Sequence, residues 1–572
     1  MVLYWDGERL KDGPLVRRIP SNMKKFLAHK STLEWLRNGL CLAIILTGSC
    51  LAIGRLWSPH VLPARQMIPS ANESVEGIRQ VLTQVNEGFA EAWQKQGLQP
   101  ATAAPMLTVA RRLSLALTGT VPSVQEIRGL EAQPEGEQVQ WWISRLLADR
   151  RYSDYFAERF ARAFVGVEDG PFIVYRRRRL VDWLSDALLA NRPYDEVVRD
   201  LIDSKGVWTT HPEVNFVTAT VVPDKGPDKA KLAARVSRAF LGVRIDCVEC
   251  HDGKLGSSWK QRDFHQLASF FGQTETTFGG VQDNPKHQYE YRFLKKKETE
   301  TVPAVVPWAP ELMPEAGASR ERLGKWVTSP GNRPFARAIV NRVWALMFNR
   351  PLVTPVDSIP LEGPFPPALE ILADDFTAHG SDLRRLIRVI ATTNVFQLDS
   401  RPANPGQAVT AETDQHWASF PMTRLRSEQV AGSVVQASSL TTLDAETHII
   451  YRLKRLIDTG GFLKRYGDSG EDEFGSQSGT IPQRLLMMNG EVVQGHVQPN
   501  PVFNASARIA TLAPGDAAAV ETAYLAVFSR RPTPEESAYF TGKFQGSPNE
   551  RGEAMADLYW TLMNSTEFSW NH

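Results

Sequence analysis

The chain has 572 residues, 42% hydrophobic and 23% charged, with 65 basic against 64 acidic side chains. That length accommodates two or three domains. A formal net charge of +1 supplies no field for gathering nucleic acid, and no solenoid-period repeat or low-complexity tract marks a fibrous or disordered chain.

Residues 1–38 form a basic cytoplasmic segment with Arg17, Arg18, Lys24, Lys25, Lys30 and Arg37. From Gly39 to Gly54 there is no charge; Arg55 ends the run and Trp57 stands at the interface position. Residues 39–57 therefore read as a short transmembrane signal anchor. The positive flank keeps its side in the cytoplasm and exports the rest. The expected location is a single pass through a bacterial cytoplasmic membrane, with the bulk of the chain on the periplasmic side. A cleaved signal peptide is the rival reading, but no A-x-A site follows the run. Thr47-Gly48-Ser49-Cys50 resembles a lipoprotein box with its leucine, Leu46, one place too early. Met23, ahead of Lys24-Lys25, resembles an internal translation start. Residues 58–104 read as a Pro-rich spacer and a stalk helix with the stripe Val75, Ile78, Val81, Leu82, Val85 and Phe89.

Residues 105–276 are densely helical. Leu107, Ala110, Leu113 and Leu117 share one face, and Gly119 with Pro122 ends that helix. Ser123 caps the next. Further helices are expected at 141–147 and 152–164. The run Arg176 to Arg179 is a solvated helix start paired to carboxylates rather than an anion site. Asp195 is expected to cap a helix through Leu201. Asp228 to Gly242 follows, then Gln261 to Phe271 with Phe264, Leu267, Ala268 and Phe271 inward.

Between the last two helices stands Cys247-Val248-Glu249-Cys250-His251, the C-x-x-C-H pattern of covalent c-type haem attachment. Each sulfur adds to one haem vinyl group, so the two must lie on one side of a short turn. The adjacent imidazole is then the proximal iron ligand. The other two cysteines, Cys41 and Cys50, lie in the anchor. Export favours this chemistry, because bacteria attach haem c outside the cytoplasm. The alternatives are a redox dithiol, a zinc half-site and a structural turn without haem. Zinc needs two more ligands, and His265 with a carboxylate is the nearest set. His265 is also the tentative distal ligand to iron, against a packing or solvent-facing histidine. Met313 is a poorer distal candidate.

Residues 277–318, Pro-rich and carrying Lys295-Lys296-Lys297-Glu298, read as a linker to a C-terminal helical domain at 319–572. Helices are expected at 320–327, 335–348, 368–379, 383–393, 482–488, 517–528, 535–540 and 553–564. The acidic stretch 460–480 lacks EF-hand spacing and reads as a surface loop. No alternating strand pattern appears. The fold class is mainly α: an N-terminal anchor followed by two helical domains with long irregular loops.

Phe240-Leu241-Gly242, Cys247-x-x-Cys250-His251-Asp252 and Trp259-Lys260-Gln261-Arg262-Asp263-Phe264 together resemble the planctomycete-specific cytochrome-like domain. Arg111-Arg112-Leu113, Leu117-Thr118-Gly119-x-x-Pro122 and Asn191-Arg192-Pro193-Tyr194-Asp195 support it. The later half resembles the planctomycete-specific partner domain through Asn332-Arg333-Pro334-Phe335, Val340-Asn341-Arg342-Val343-Trp344, Arg424-Leu425-x-x-Glu428-Gln429 and Asn564-Ser565-x-Glu567-Phe568. The resemblance implies haem c and an envelope location. Two family histidines are replaced, by Gly253 and in the Leu346-Met347 region, which weakens any second-metal reading.

No G-x-S-x-G elbow, H-E-x-x-H, P-loop or dinucleotide fingerprint is present, so the sequence does not say whether the chain is an enzyme. The leading expectation is a membrane-anchored c-type haem protein serving electron transfer or a redox partner. The alternatives are a haem-free envelope scaffold or binding module, and an envelope enzyme acting on a polymer.

Overall fold

A helix with one apolar stripe leaves the rest of its surface to water. The helix Met106–Thr118 does not: its last ten residues, Val109 to Thr118, are all buried. In the computed structural model it runs between two hydrophobic cores. Ala110, Leu113, Ala116 and Leu117 pack into the first core, which gathers residues from Val81 to Phe420. Leu115 packs into the second, which is otherwise built from Val121 and residues 425–568. The structure describes residues 75–572 apart from 168–174, 254–258, 295, 404–409, 445–446, 448–457, 464, 467–473, 475–479, 499, 501–503 and 545–547. The expected basic segment, anchor and start at Met23 lie outside the described residues, as does most of the acidic stretch 460–480. No described helix is long and apolar enough to cross a membrane.

The architecture is mainly helical. The described strands form two-stranded antiparallel pairs, among them Thr274–Thr277 with Gly280–Asp283 and Glu290–Tyr291 with Glu300–Thr301. Capping follows the sequence in several places. Ser123 accepts from Glu126 N at 3.0 Å while Glu126 answers Ser123 N at 2.9 Å, and Asp228 accepts from Lys231 N at 3.0 Å. Asp195 is a correction. It lies inside the helix Tyr194–Asp203, whose first turn has no side-chain cap, and pairs with Arg199 one turn on at 2.8 Å. Pro193 takes the capping position without a side-chain hydrogen bond. In the arginine run, Arg177 pairs with Glu158 at 2.9 Å and Arg176 lies 4.9 Å over the Trp208 ring.

The first core does not divide at 277–318. Tyr194 stacks on Phe335 with centroids 5.5 Å apart, and its N–H donates to Ser381 O at 3.1 Å. Arg320, fully buried, donates to both Asp283 carboxylate oxygens at 2.8 and 3.2 Å and to Ile202 O and Ser204 O at 2.9 and 3.0 Å. Burial alone would push the Asp283 carboxyl up, but Arg320 and Lys205 outweigh it and hold it below its ordinary range. The Pro-rich segment is thus clamped to both of its flanks. The change of core comes instead between Phe420 and Leu425.

Arg426 fastens the two cores. Its guanidinium donates to Tyr155 OH at 2.6 Å, Asn349 Oδ1 at 2.7 Å and Glu428 Oε1 at 3.0 Å. Arg159 meets the same Glu428 oxygen at 2.9 Å. Burial works against the Glu428 charge, but the two arginines prevail and hold its carboxyl below the usual range. Gln429 Nε2 reaches across to Leu115 O at 3.0 Å. Gly119 makes the junction possible: it ends the central helix at φ +69°, and an added Cβ would lie 2.5 Å from the Tyr155 ring.

Two outcomes test this clasp. Glu428→Ala leaves Arg159 and Arg426 buried without their carboxylate and is expected to lower unfolding stability by about 3–5 kcal/mol, read by urea denaturation. Gly119→Ala combines a left-handed backbone with a clash on Tyr155 and is expected to cost more than the ~1 kcal/mol of a backbone effect alone.

Candidate functional site

The C-x-x-C-H turn is delivered by the helix Lys229–Leu241. Gly242 ends that helix at φ +62°, where a Cβ would press on Ala338 at 3.1 Å and Ile359 at 3.2 Å. Ile359 N donates to Gly242 O at 2.7 Å, fixing the exit. Arg238 then grips Asp246 through both carboxylate oxygens, Nε to Oδ1 at 3.1 Å. A single 3-10 turn, Asp246–Val248, follows, with Val248 buried as its anchor. Cys247, Cys250 and His251 are all exposed.

The His251 ring has a defined orientation. Nδ1 lies 2.8 Å from Asp252 O. A carbonyl only accepts, so Nδ1 carries the proton, and in the neutral ring Nε2 keeps the lone pair. Asp252 in turn accepts from Gln261 N at 3.0 Å, and Gly253 N donates to Trp259 O at 2.8 Å. The far side of the turn is thereby tied to the helix Gln261–Ala268.

The carbonyl of Glu249, between the two cysteines, is the most heavily bonded group of the turn. It accepts from His265 Nε2 at 2.9 Å, Gln261 Nε2 at 3.0 Å and Tyr291 OH at 3.4 Å. His265 is buried. Its Nε2 faces a carbonyl and must be the donor, so in the neutral ring Nδ1 accepts from Tyr289 OH at 2.8 Å. The ring stacks on Tyr291 with centroids 3.5 Å apart. Burial pushes its pKa down, against the pull of the Glu249 carbonyl.

This favours the packing reading of His265 over the distal-ligand one. His265 has no nitrogen left for iron or zinc, because both are engaged. It is a packing histidine that holds the turn from beneath. Met313 packs half-buried against the first core. Among the described residues no group of three or more His, Cys, Asp or Glu side chains is arranged to hold a metal ion. Leu346 and Met347 are buried in the first core.

A second constellation escaped the sequence. Ser438 Oγ lies 2.8 Å from His496 Nδ1, and His496 Nε2 lies 3.0 Å from Asp458 Oδ2. The residues come from separate elements, so no motif could signal them. Ser438 and His496 are buried in the second core, and the Ser438 hydroxyl donates to Val435 O at 2.7 Å. Its proton has two acceptors within reach, Val435 O and, in the neutral ring whose Nε2–H turns to Asp458, His496 Nδ1, and burial keeps the hydroxyl from solvent. The group joins three elements and has the features of packing.

The His265 shift fixes a pH dependence. A folded pKa below the unfolded ~6.5 means that the unfolded chain binds the proton more readily. Stability is complete above that value and falls as pH drops through it toward the folded pKa. His265→Gln should flatten this part of the stability profile, measured by denaturant titrations between pH 7 and 5.

The PSCyt2 family model, described as a protein of unknown function (DUF1549), matches residues 84–276. The PSD1 model, described as a protein of unknown function (DUF1553), matches residues 319–455. Together they cover over half of the chain. No curated protein and no solved structure matches. The C-x-x-C-H turn and its His265 support both fall within the first match, and Arg426 and Glu428 of the clasp within the second. The chain therefore carries a PSCyt2 domain followed by a PSD1 domain, both planctomycete-type domains.

Proposed function

We propose that residues 247–251 attach haem c, on a protein anchored by residues 39–57 in the cytoplasmic membrane and facing the periplasm, and that it passes electrons to a redox partner. The observation that carries the reading is the state of His251: exposed, with Nδ1–H engaged by Asp252 O at 2.8 Å and Nε2 left as the ligating nitrogen. The exposed thiols of Cys247 and Cys250 fit the proximal half of such a site. Each S–H adds across one vinyl group, sulfur to one carbon and hydrogen to the other, so the attachment needs no oxidant. Haem bound there supplies a one-electron iron couple. The chain contributes the two thioethers, the proximal imidazole and the bonds that orient it.

A second reading, a haem-free envelope binding module, draws on the Glu249 carbonyl, where protein groups alone hold the turn. One preparation separates the two. The full chain, made with haem-maturation machinery, should show a Soret band and the mass of one covalent haem. Both should be lost in the double variant Cys247→Ser, Cys250→Ser. His251→Ala should keep the thioethers and change the spectrum. A colourless chain at its bare polypeptide mass sinks the haem reading and leaves the binding module.

A further inference from the structure

A turn that presents two thiols to one planar ligand can be shaped by the ligand or by the polypeptide beforehand. Here the polypeptide contributions are on hand without any ligand. The Glu249 carbonyl is the pivot: it lies between Cys247 and Cys250 in sequence and accepts from three side chains on two separate elements. Two of the donors, Gln261 and His265, stand one turn apart on the helix Gln261–Ala268, so a single rigid element delivers both. The third, Tyr291, comes from the paired strands Glu290–Tyr291 and Glu300–Thr301.

The donors are themselves held. Gln261 Nε2 also reaches Tyr291 OH at 3.2 Å, and its Oε1 accepts from Leu294 N at 3.4 Å. His265 is locked by Tyr289 OH on one edge and by stacking on Tyr291 across its face. Tyr289 is tied by its own backbone, since its carbonyl accepts from Val302 N at 2.9 Å. Beneath the other end of the turn, Val248 is buried and Arg238 holds Asp246. A wrong tautomer of His265 would set two lone pairs against each other at the Glu249 carbonyl, so the tautomer belongs to the design.

We propose that His265, with Gln261, is a positioning residue that fixes the C-x-x-C-H turn through the Glu249 carbonyl before any haem is attached, so that the attachment chemistry acts on an already folded acceptor. Neither residue touches the incoming group. Their effect passes through one main-chain oxygen to the spacing of the two thiols. The attachment part of this claim rests on the haem reading of the previous section; the preformed turn does not.

The experiment uses the full chain, produced both with and without haem-maturation machinery. In the haem-free protein, His265→Phe keeps the ring stack and removes both hydrogen bonds. Amide hydrogen exchange of residues 246–253 should speed up at least tenfold in this variant, with amides of the second core unchanged. With the maturation machinery present, the fraction of chains carrying the mass of one haem should fall at least threefold, while the chains that do load keep the parental spectrum, because His265 is not an iron ligand. Gln261→Met, close in shape and without the amide, should reproduce both effects and serves where His265→Phe does not fold.

Unchanged exchange in the haem-free variants overturns the preformed turn. Faster exchange with undiminished loading overturns the link to attachment. A changed spectrum in loaded His265→Phe overturns the assignment of His265 as a support and makes it a ligand. If the parental chain itself loads no haem, the haem reading and the link to attachment both fall, while the exchange measurement still decides whether the turn is held in advance.

Discussion

Two adjacent arginines carry buried positive charge that main-chain carbonyls, rather than carboxylates, satisfy. Arg111 donates to Val527 O and Phe568 O at 2.9 and 3.2 Å, in the second core. Arg112 donates to Phe396 O and Leu398 O at 3.1 and 2.6 Å, in the first, and lies 3.6 Å over the Phe420 ring. Burial pushes both guanidiniums down, to about 10 for Arg111 and about 9 for Arg112, and each keeps one buried nitrogen without a partner. Such groups are costly to bury. They are tolerated because each guanidinium gathers chain ends that no helix could satisfy alone, and because neighbouring positions on one helix point about 100° apart, here toward different cores. The central helix therefore cannot slip or rotate without stranding two charges.

That constraint organises the rest. The Arg426–Glu428 clasp closes on the end of the same helix, where Gly119 allows Tyr155 to approach. Several of the residues by which the chain resembles its family fall on these junctions: Arg111-Arg112, Gly119, Tyr194, Phe335, Arg426's neighbours Glu428 and Gln429, and Phe568. Their chemistry is that of satisfied buried polar groups and close packing. The first domain and its partner thus read as one folded object with two cores. The second match begins inside the first core and continues into the second, so its boundaries and those of packing differ.

How far the sequence disclosed this depended on periodicity. Helices with a single apolar stripe, such as Lys229–Leu241 and Leu383–Thr392, were legible to within a residue or two at their ends. The helix Ser427–Ala437 was not, because every residue but Glu428 is buried and no polar face marks its period. The short helices Glu491–Val497 and Ala505–Leu512 were hidden similarly by Gly, Ser and Ala. At the site, the cysteine spacing and His251 could be read directly. The role of His265 could not, since its partners lie 16 and 24 residues away and one of them is a main-chain oxygen. A side-chain motif has no means of naming a carbonyl.

The same limitation bears on what the turn can do. Histidine binds iron, so a histidine near the motif invites a distal-ligand reading, and burial argues against that reading here. A buried histidine needs partners for both nitrogens, and once they are found inside the protein it is lost to a metal. His265 found Glu249 and Tyr289; His251, at the surface, found only Asp252 for Nδ1 and kept Nε2 open. The two rings divide the work by exposure: the inner one spends its hydrogen bonds on shape, and the outer one retains a lone pair for chemistry. An iron held at His251 would therefore not draw a second ligand from His265, whose nitrogens are both engaged within the protein.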